Sequence, residues 1–294
     1  MKPIGIVTDS HSGISQKRAK ELGVKVLPMP FYFGEECFYE DVSLSREEFY
    51  RRLQAGEPVS TSQPAPTEVM ALWDEALKEY EKILYMPISS GISGSCATAA
   101  ALATEEPYEG RVLVVDNGRV SALLHRAVLD GLELIEEGYS AEEIKEILEG
   151  SRADMVIYIA VQTLENLKKG GRITPATAAI GTILNIKPVL KFDVGTLDSF
   201  AKCRGFQKAK KTMLEAIAKD LETTFKAWEE RGEAYVVVAS SASDEDTLKW
   251  VEEVKAAFPG RHVMWDHLSF GTSCHIGYGG LGIGISCKPP RPLK

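Results

Sequence analysis

The stretch KILYMPISSGISGSCATAAALAT, residues 82–104, decides how the rest of the chain is read. Lys82–Pro87 is a short apolar run closed by proline, the mark of a buried strand. Ser95–Thr104 reads as a helix, and the turn SSGISGS at 89–95 joins the two. Strand, glycine–serine turn and helix form the unit from which parallel sheets are wound. Outward from it the same unit recurs. Ile4–Thr8, Val24–Leu27, Arg111–Val115 and Met155–Val161 also read as buried strands. The intervening helices have clear signals. Ser45-x-x-Glu48 and Ser140-x-x-Glu143 are capping boxes, and Gly56 followed by Pro58 is a stop. The expectation is a parallel sheet covered by helices on both faces.

Two regions break the pattern. In Met29–Asp41, Phe31–Phe33 and Cys37–Tyr39 flank Gly34-Glu35-Glu36 and read as a hairpin. Beyond about residue 160 come a glycine-rich turn, a small-residue helix (Ala176–Leu184) and a strand (Lys187–Phe192). A long charged helix (Gln207–Arg231), strand Ala234–Ser240, helix Asp244–Phe258, strand His262–His267 and a glycine-rich last strand, Gly277–Ser286, follow. The fold expected is α/β with two domains. Residues 1–160 form a parallel-sheet αβα sandwich, and 161–294 form a second α/β domain with a mixed sheet; segments can be exchanged between them. The length of 294 residues fits two domains of ordinary size.

Charge and composition exclude several roles. Lys and Arg number 34 against 42 Asp and Glu, a net charge of −8. That balance argues against nucleic acid or an anionic membrane as the main partner. The longest unbroken apolar run, Met155–Val161, is far short of the ~20 residues that span a bilayer. The N-terminal segment lacks a signal peptide's apolar stretch, so a cytoplasmic protein without stable membrane insertion is expected. The five cysteines (Cys37, Cys96, Cys203, Cys274, Cys287) show no CxxC and no zinc spacing, so reduced thiols and no metal site are expected.

Ligands of open α/β sheets bind at the carboxyl ends of the strands. Three such ends are polar: Thr8-Asp9-Ser10, SSGISGS at 89–95, and Asp116-Asn117. SSGISGS reads either as a serine-capped helix start or as an anion-binding turn, in which free N–H groups and the Ser93 hydroxyl face a ligand. TSQPAP at 61–66 puts Thr61 and Ser62 before a rigid proline segment. GYGGLG at 277–282 matches G-x-G-x-x-G, but with Pro289 close behind no helix or ribose-binding acid can follow, so it is not a dinucleotide fingerprint. LKKGGRI at 167–173 and the set Lys202, Arg204, Lys208, Lys210 and Lys211 are basic concentrations, either solvated faces or patches for phosphate or an acidic partner.

In order along nearly the whole chain, TDS (8–10), TSQPAP (61–66), SSGISGS (89–95), KKGGRI (168–173), GTILNIKPVL (181–190) and HIGYGGLG (275–282) resemble the motifs of the DegV family, fatty-acid-binding subunits of bacterial fatty acid kinase. The resemblance implies a two-domain protein without catalytic activity or cofactor of its own. It implies one long-chain fatty acid held in a buried tunnel between or within the domains. A separate ATP-dependent kinase subunit then phosphorylates the carboxylate, and the acyl phosphate feeds phospholipid synthesis. By the same resemblance Thr61 and Ser93 hydrogen-bond the carboxylate, His275 lies near the head group, and Arg172 serves kinase docking or the phosphoryl-transfer site. Ala178, Ala179, Ile180, Ile183 and Leu184 would be tunnel wall or plain core. The chain departs from the family pattern at Tyr278, Asn117 and Ala65. Two other functions stay open on residue types alone. One is a serine hydrolase using Ser93, His275 and Asp9 or Asp116, although the G-x-S-x-G elbow is missing. The other is a binding module for a small polar metabolite.

Overall fold

The computed structural model describes residues 1–178, 186–193 and 195–292. Its strands are β1 (Lys2–Asp9), β2 (Lys25–Leu27), β3 (Pro30–Phe33), β4 (Glu36–Tyr39), β5 (Val59–Thr61), β6 (Tyr80–Met86), β7 (Val112–Val114), β8 (Met155–Ala160), β9 (Ile186–Asp193), β10 (Thr196–Arg204), β11 (Ala234–Ser240), β12 (Val263–His267) and β13 (Leu281–Cys287). β2-β1-β6-β7 form an all-parallel sheet. Ile6 and Val7 of β1 and Ile83–Met86 of β6 are buried, because helices cover both faces and leave no side of the strand in water. One face packs against helices Pro66–Ala76 and Ser95–Leu102 around Trp73. The other packs against helices Ala122–Glu136 and Ala141–Gly150.

The second sheet is six-stranded, in the order β10-β9-β8-β13-β11-β12, and only β11–β12 is parallel. Helices Phe206–Glu222 and Asp244–Ala257 cover one face, with Trp250, Met213 and Ile217 against Val156, Val236 and Ile283. The alternate residues Met155, Phe192 and Val237 point the other way. They meet Ile88, Ala122 and Leu123, which belong to the first sheet and its helices. This shared apolar layer joins the two sheets. β4-β3-β5 make a small antiparallel sheet at the side, and its β3–β4 hairpin turns at Gly34 as expected.

The structure corrects several elements. The strand at Met155 belongs to the mixed sheet, antiparallel to β9 and β13, and not to the parallel set. β10, read as part of a basic run, is a strand whose alternating charges face out from a sheet edge. The long charged helix ends at Glu222, because Thr223 leaves helical backbone and buried Phe225 starts a short helix, Lys226–Glu230. The last strand starts at Leu281, since Gly277 and Gly279 hold positive φ. The helix Phe270–Ile276 just before it went unread. Ser140–Glu143 makes a full capping box; at Ser45 the Glu48 carboxylate turns to Arg51 instead. Of the small-residue helix, Pro175–Ala178 is helical, and Ala179–Leu184 lies outside the described residues. No helix among the described residues is long and apolar enough to cross a membrane.

Candidate functional site

In the order β2-β1-β6-β7 the chain leaves β1 toward one side and β6 toward the other, which opens a crevice at their carboxyl ends. Asp9 pins that crevice. Its two oxygens accept the N–H groups of His11 and Ile88, each at 2.9 Å, so the loops after β1 and β6 are held together. Burial raises the Asp9 carboxyl to about 7 despite those bonds. The SSGISGS turn then brings Ser93 up to the helix start, where Ser93 Oγ accepts the Ser95 N–H at 3.2 Å and lies 2.9 Å from Ser95 Oγ. TSQPAP docks on this turn: Gln63 fills the space where a Cβ on Gly94 would be, and its Oε1 accepts from Thr98 at 2.7 Å. β5 thereby holds Thr61 at the crevice, 2.9 Å from His275 Nε2. His275 stands in the last turn of Phe270–Ile276, and its imidazole occupies the space left by the missing side chain of Gly170.

Arg172 completes the wall. The sequence suggests an arginine exposed on a glycine turn. Instead Gly171, in left-handed backbone, ends the helix Glu165–Gly170 and turns Arg172 inward. Its guanidinium donates to Ile92 O at 3.3 Å and to Gly170 O. Thr61, Ser93, Arg172 and His275 thus line one cavity of about 110 Å³. Met29, Ile88, Ile92, Leu167, Leu197 and Ile276 supply its apolar wall. A larger, outer cleft of about 460 Å³ lies beyond Thr61, Arg172 and His275, which line both spaces, and adds Glu165, Asn166 and Lys169.

The cavity is electropositive. Among the described residues no acidic residue lines it and Arg172 has no acidic partner. His275 stays neutral: burial and the nearby Arg172 lower it to about 4. An isolated guanidinium among hydroxyls, with apolar wall on the remaining sides, suits one anionic group on an apolar body.

The structure leaves other nominated residues apart. Asp116 pairs with Arg152 and accepts from Ser90 Oγ at 2.5 Å, locking loops away from the cavity. The serine-hydrolase triad is not assembled among the described residues, since His275 Nε2 engages Thr61, Ser93 engages Ser95, and Asp9 engages backbone. Of the suggested tunnel wall, Ala178 does not line the cavity, and Ala179, Ile180, Ile183 and Leu184 lie outside the described residues. Lys210 and Lys211 of the second basic set are tied to Glu253 and Glu215. The five cysteines are unbridged, and the described residues contain no metal-holding cluster. Sequence reading missed His11 and Thr272 as lining residues. His11 was signalled only by following the polar end of β1; Thr272 sits on the unread helix.

Comparison with known proteins agrees with this fold. The model of the DegV family, described as an uncharacterised protein family, matches residues 3–288. Protein DegV of Bacillus subtilis (strain 168) is 31% identical over 290 residues, covering 95% of this chain and 98% of the relative. A solved DegV family protein from Thermus thermophilus, described by its fatty acid binding, is 32% identical with a TM-score of 0.84, covering 97% of this chain and 99% of that one. DegV from Bacillus subtilis, described as a fatty acid binding protein, is 29% identical with a TM-score of 0.83, covering 98% and 100%.

Proposed function

This chain belongs to the DegV family, and we propose that it binds one long-chain fatty acid and presents the carboxylate to a separate ATP-dependent kinase in the cytoplasm. The observation that carries the reading is the cavity wall: a guanidinium without an acidic partner, the Thr61 and Ser93 hydroxyls beside it, an apolar stretch from Met29 to Ile276, and no acid among the described residues. Arg172 keeps the bound acid ionised. With hydrogen on Nε2, neutral His275 donates to Thr61 Oγ1, which frees the Thr61 O–H for the carboxylate. Ser93 and the N–H groups at the start of helix Ser95–Leu102 face the same anion.

A cavity of about 110 Å³ holds the head group and the first carbons. The tail continues from Ile88, Ile92 and Leu197 into the apolar layer between the sheets. Each buried CH₂ contributes ~0.8 kcal/mol, so a tail of about fifteen gives ~12 kcal/mol before ordering costs. Affinity therefore comes mainly from the tail, and orientation from the head-group donors. Transfer then requires that the carboxylate oxygen bond to the γ-phosphorus of ATP while the bond from that phosphorus to the ADP oxygen breaks and ADP departs with the kinase, and the outer cleft, sharing Arg172, Thr61 and His275, is the route of approach. The protein's own groups position the nucleophile; the kinase supplies the phosphoryl donor. Protein purified from a bacterial host is expected to carry fatty acid in about equimolar amount, read by native mass spectrometry and by extraction with gas chromatography. Repeatedly empty protein that takes up no added fatty acid would refute the proposal.

A further inference from the structure

His11 is a further polar side chain in the cavity, and the head-group reading leaves it unused. It follows β1 directly, in a single 3₁₀ turn. Its imidazole lies over Gly271, where any Cβ would collide with the ring. Nδ1 is 3.0 Å from Ser269 Oγ and 3.3 Å from Thr272 Oγ1. Ser269 Oγ accepts the Thr272 N–H at 3.1 Å and donates to Thr272 Oγ1 at 2.9 Å. The Ser269 proton is thus given to Thr272, and the 3.0 Å contact is His11 Nδ1–H donating to Ser269 Oγ. The ring is neutral, because burial and Arg172 hold it at about 4. A neutral imidazole that donates at Nδ1 leaves Nε2 as an acceptor. That nitrogen has no hydrogen-bond partner among the described residues.

At the cavity His11 lies near Thr272, Arg172 and His275 and beside an apolar stretch of wall. The Asp9 and Ser10 side chains that flank it accept the N–H groups of Ile88 and Met29, and both of these residues line the cavity. A plain hydrocarbon chain laid along this wall leaves Nε2 buried and unpaired, which is unfavourable. A hydroxyl on the chain at that level satisfies it by donating to Nε2. We infer that His11 selects acids carrying a hydroxyl on one of the first carbons of the chain, as in a 2- or 3-hydroxy fatty acid. This rests on the fatty-acid reading above and names the substrate class of the same site. His11 acts here as a ligand-contacting specificity residue; Ser269 and Thr272 position it.

The test uses delipidated full-length protein and displacement of a fluorescent fatty acid by palmitate, 2-hydroxypalmitate, 3-hydroxypalmitate and 16-hydroxypalmitate. The wild type is expected to bind the 2- or 3-hydroxy acid about tenfold or more tighter than palmitate, while the distal 16-hydroxyl brings no gain. His11→Leu brings that ratio toward one, Thr272→Val moves it the same way, and His11→Gln, which keeps a polar acceptor, retains part of it. A merely structural role for His11 would weaken all four acids alike and leave the ratio in place. Equal wild-type affinities for palmitate and both proximal hydroxy acids overturn the inference, as does an unchanged ratio in His11→Leu. Failure of the wild type to bind any of the four overturns the fatty-acid reading, and this one with it.

Discussion

Thr61 Oγ1 and His275 Nε2, 214 positions apart in sequence, lie 2.9 Å apart, and in the proposed function the imidazole satisfies the Thr61 oxygen so that its proton is left for the ligand. Removing either carboxylate donor, by Thr61→Val or Ser93→Ala, is expected to cost about 1.5–3 kcal/mol, or roughly tenfold to over a hundredfold in Kd. Titration with a fluorescent fatty acid measures this, and unchanged affinity in both variants removes these hydroxyls from the site. Arg172→Ala removes the one full positive charge that the described residues place on the cavity wall. Because its guanidinium lines both spaces, the variant is expected to lose at least about tenfold in fatty-acid affinity and also turnover by the partner kinase. Intact binding with lost turnover would assign Arg172 to the outer cleft alone.

The helix Phe270–Ile276 is the element on which the site depends. It carries Thr272 and His275, and seven residues do not hold a helix in water unaided. Its anchors come from elsewhere. Phe270 stacks on Phe49 with centroids 4.3 Å apart, and Glu40, at the end of the β3–β4 hairpin, accepts the Phe270 N–H at 3.0 Å. The Glu40 carboxyl is buried, its second oxygen makes no direct hydrogen bond among the described residues, and burial raises it to about 8. An acid whose folded-state value is raised favours the fold when protonated. Glu40 thus contributes most below its ordinary range near 4.5, and the contribution is lost as pH rises toward 8. Glu40→Gln keeps an acceptor for Phe270 and cannot ionise. Its stability relative to wild type, from urea melts, is expected to increase steadily between pH 5 and pH 8. A pH-independent difference would show that Glu40 does not titrate in this range. His11 and His275 act in the opposite sense between pH 6.5 and 4, since both are lowered to about 4 and the unfolded chain takes up their protons first. The comparison with Glu40→Gln cancels their effect.

At the scale of the whole molecule, the layer between the two sheets is held by more than apolar contact. Arg119, 1% exposed, donates to Ser286 Oγ on β13 and to Ser151 O, tying the loop after β7 into the six-stranded sheet. Arg119→Ala leaves a cavity and unpaired acceptors there, and about 3 kcal/mol or more of stability should be lost. Chemical denaturation followed by far-ultraviolet circular dichroism reads it, and a loss within about 0.5 kcal/mol would make Arg119 an ordinary surface-like position. The sequence by itself determined the α/β class, the parallel order of units around 82–104, the hairpin at Gly34 and the family. Each rests on local patterning: apolar runs, caps and turn residues that act over a few positions. The resemblance of its motifs also nominated Thr61, Ser93, Arg172 and His275; residue types alone left the SSGISGS turn open between a capped helix start and an anion-binding turn. Only the tertiary structure decided which sheet receives Met155–Ala160, since an apolar run of that length fits a parallel or an antiparallel partner equally. It alone turned Arg172 inward, set Asp116 aside and brought His11 onto Gly271, 260 positions away. Those outcomes depend on space left by glycines and on bonds between distant loops, and a one-dimensional pattern contains neither.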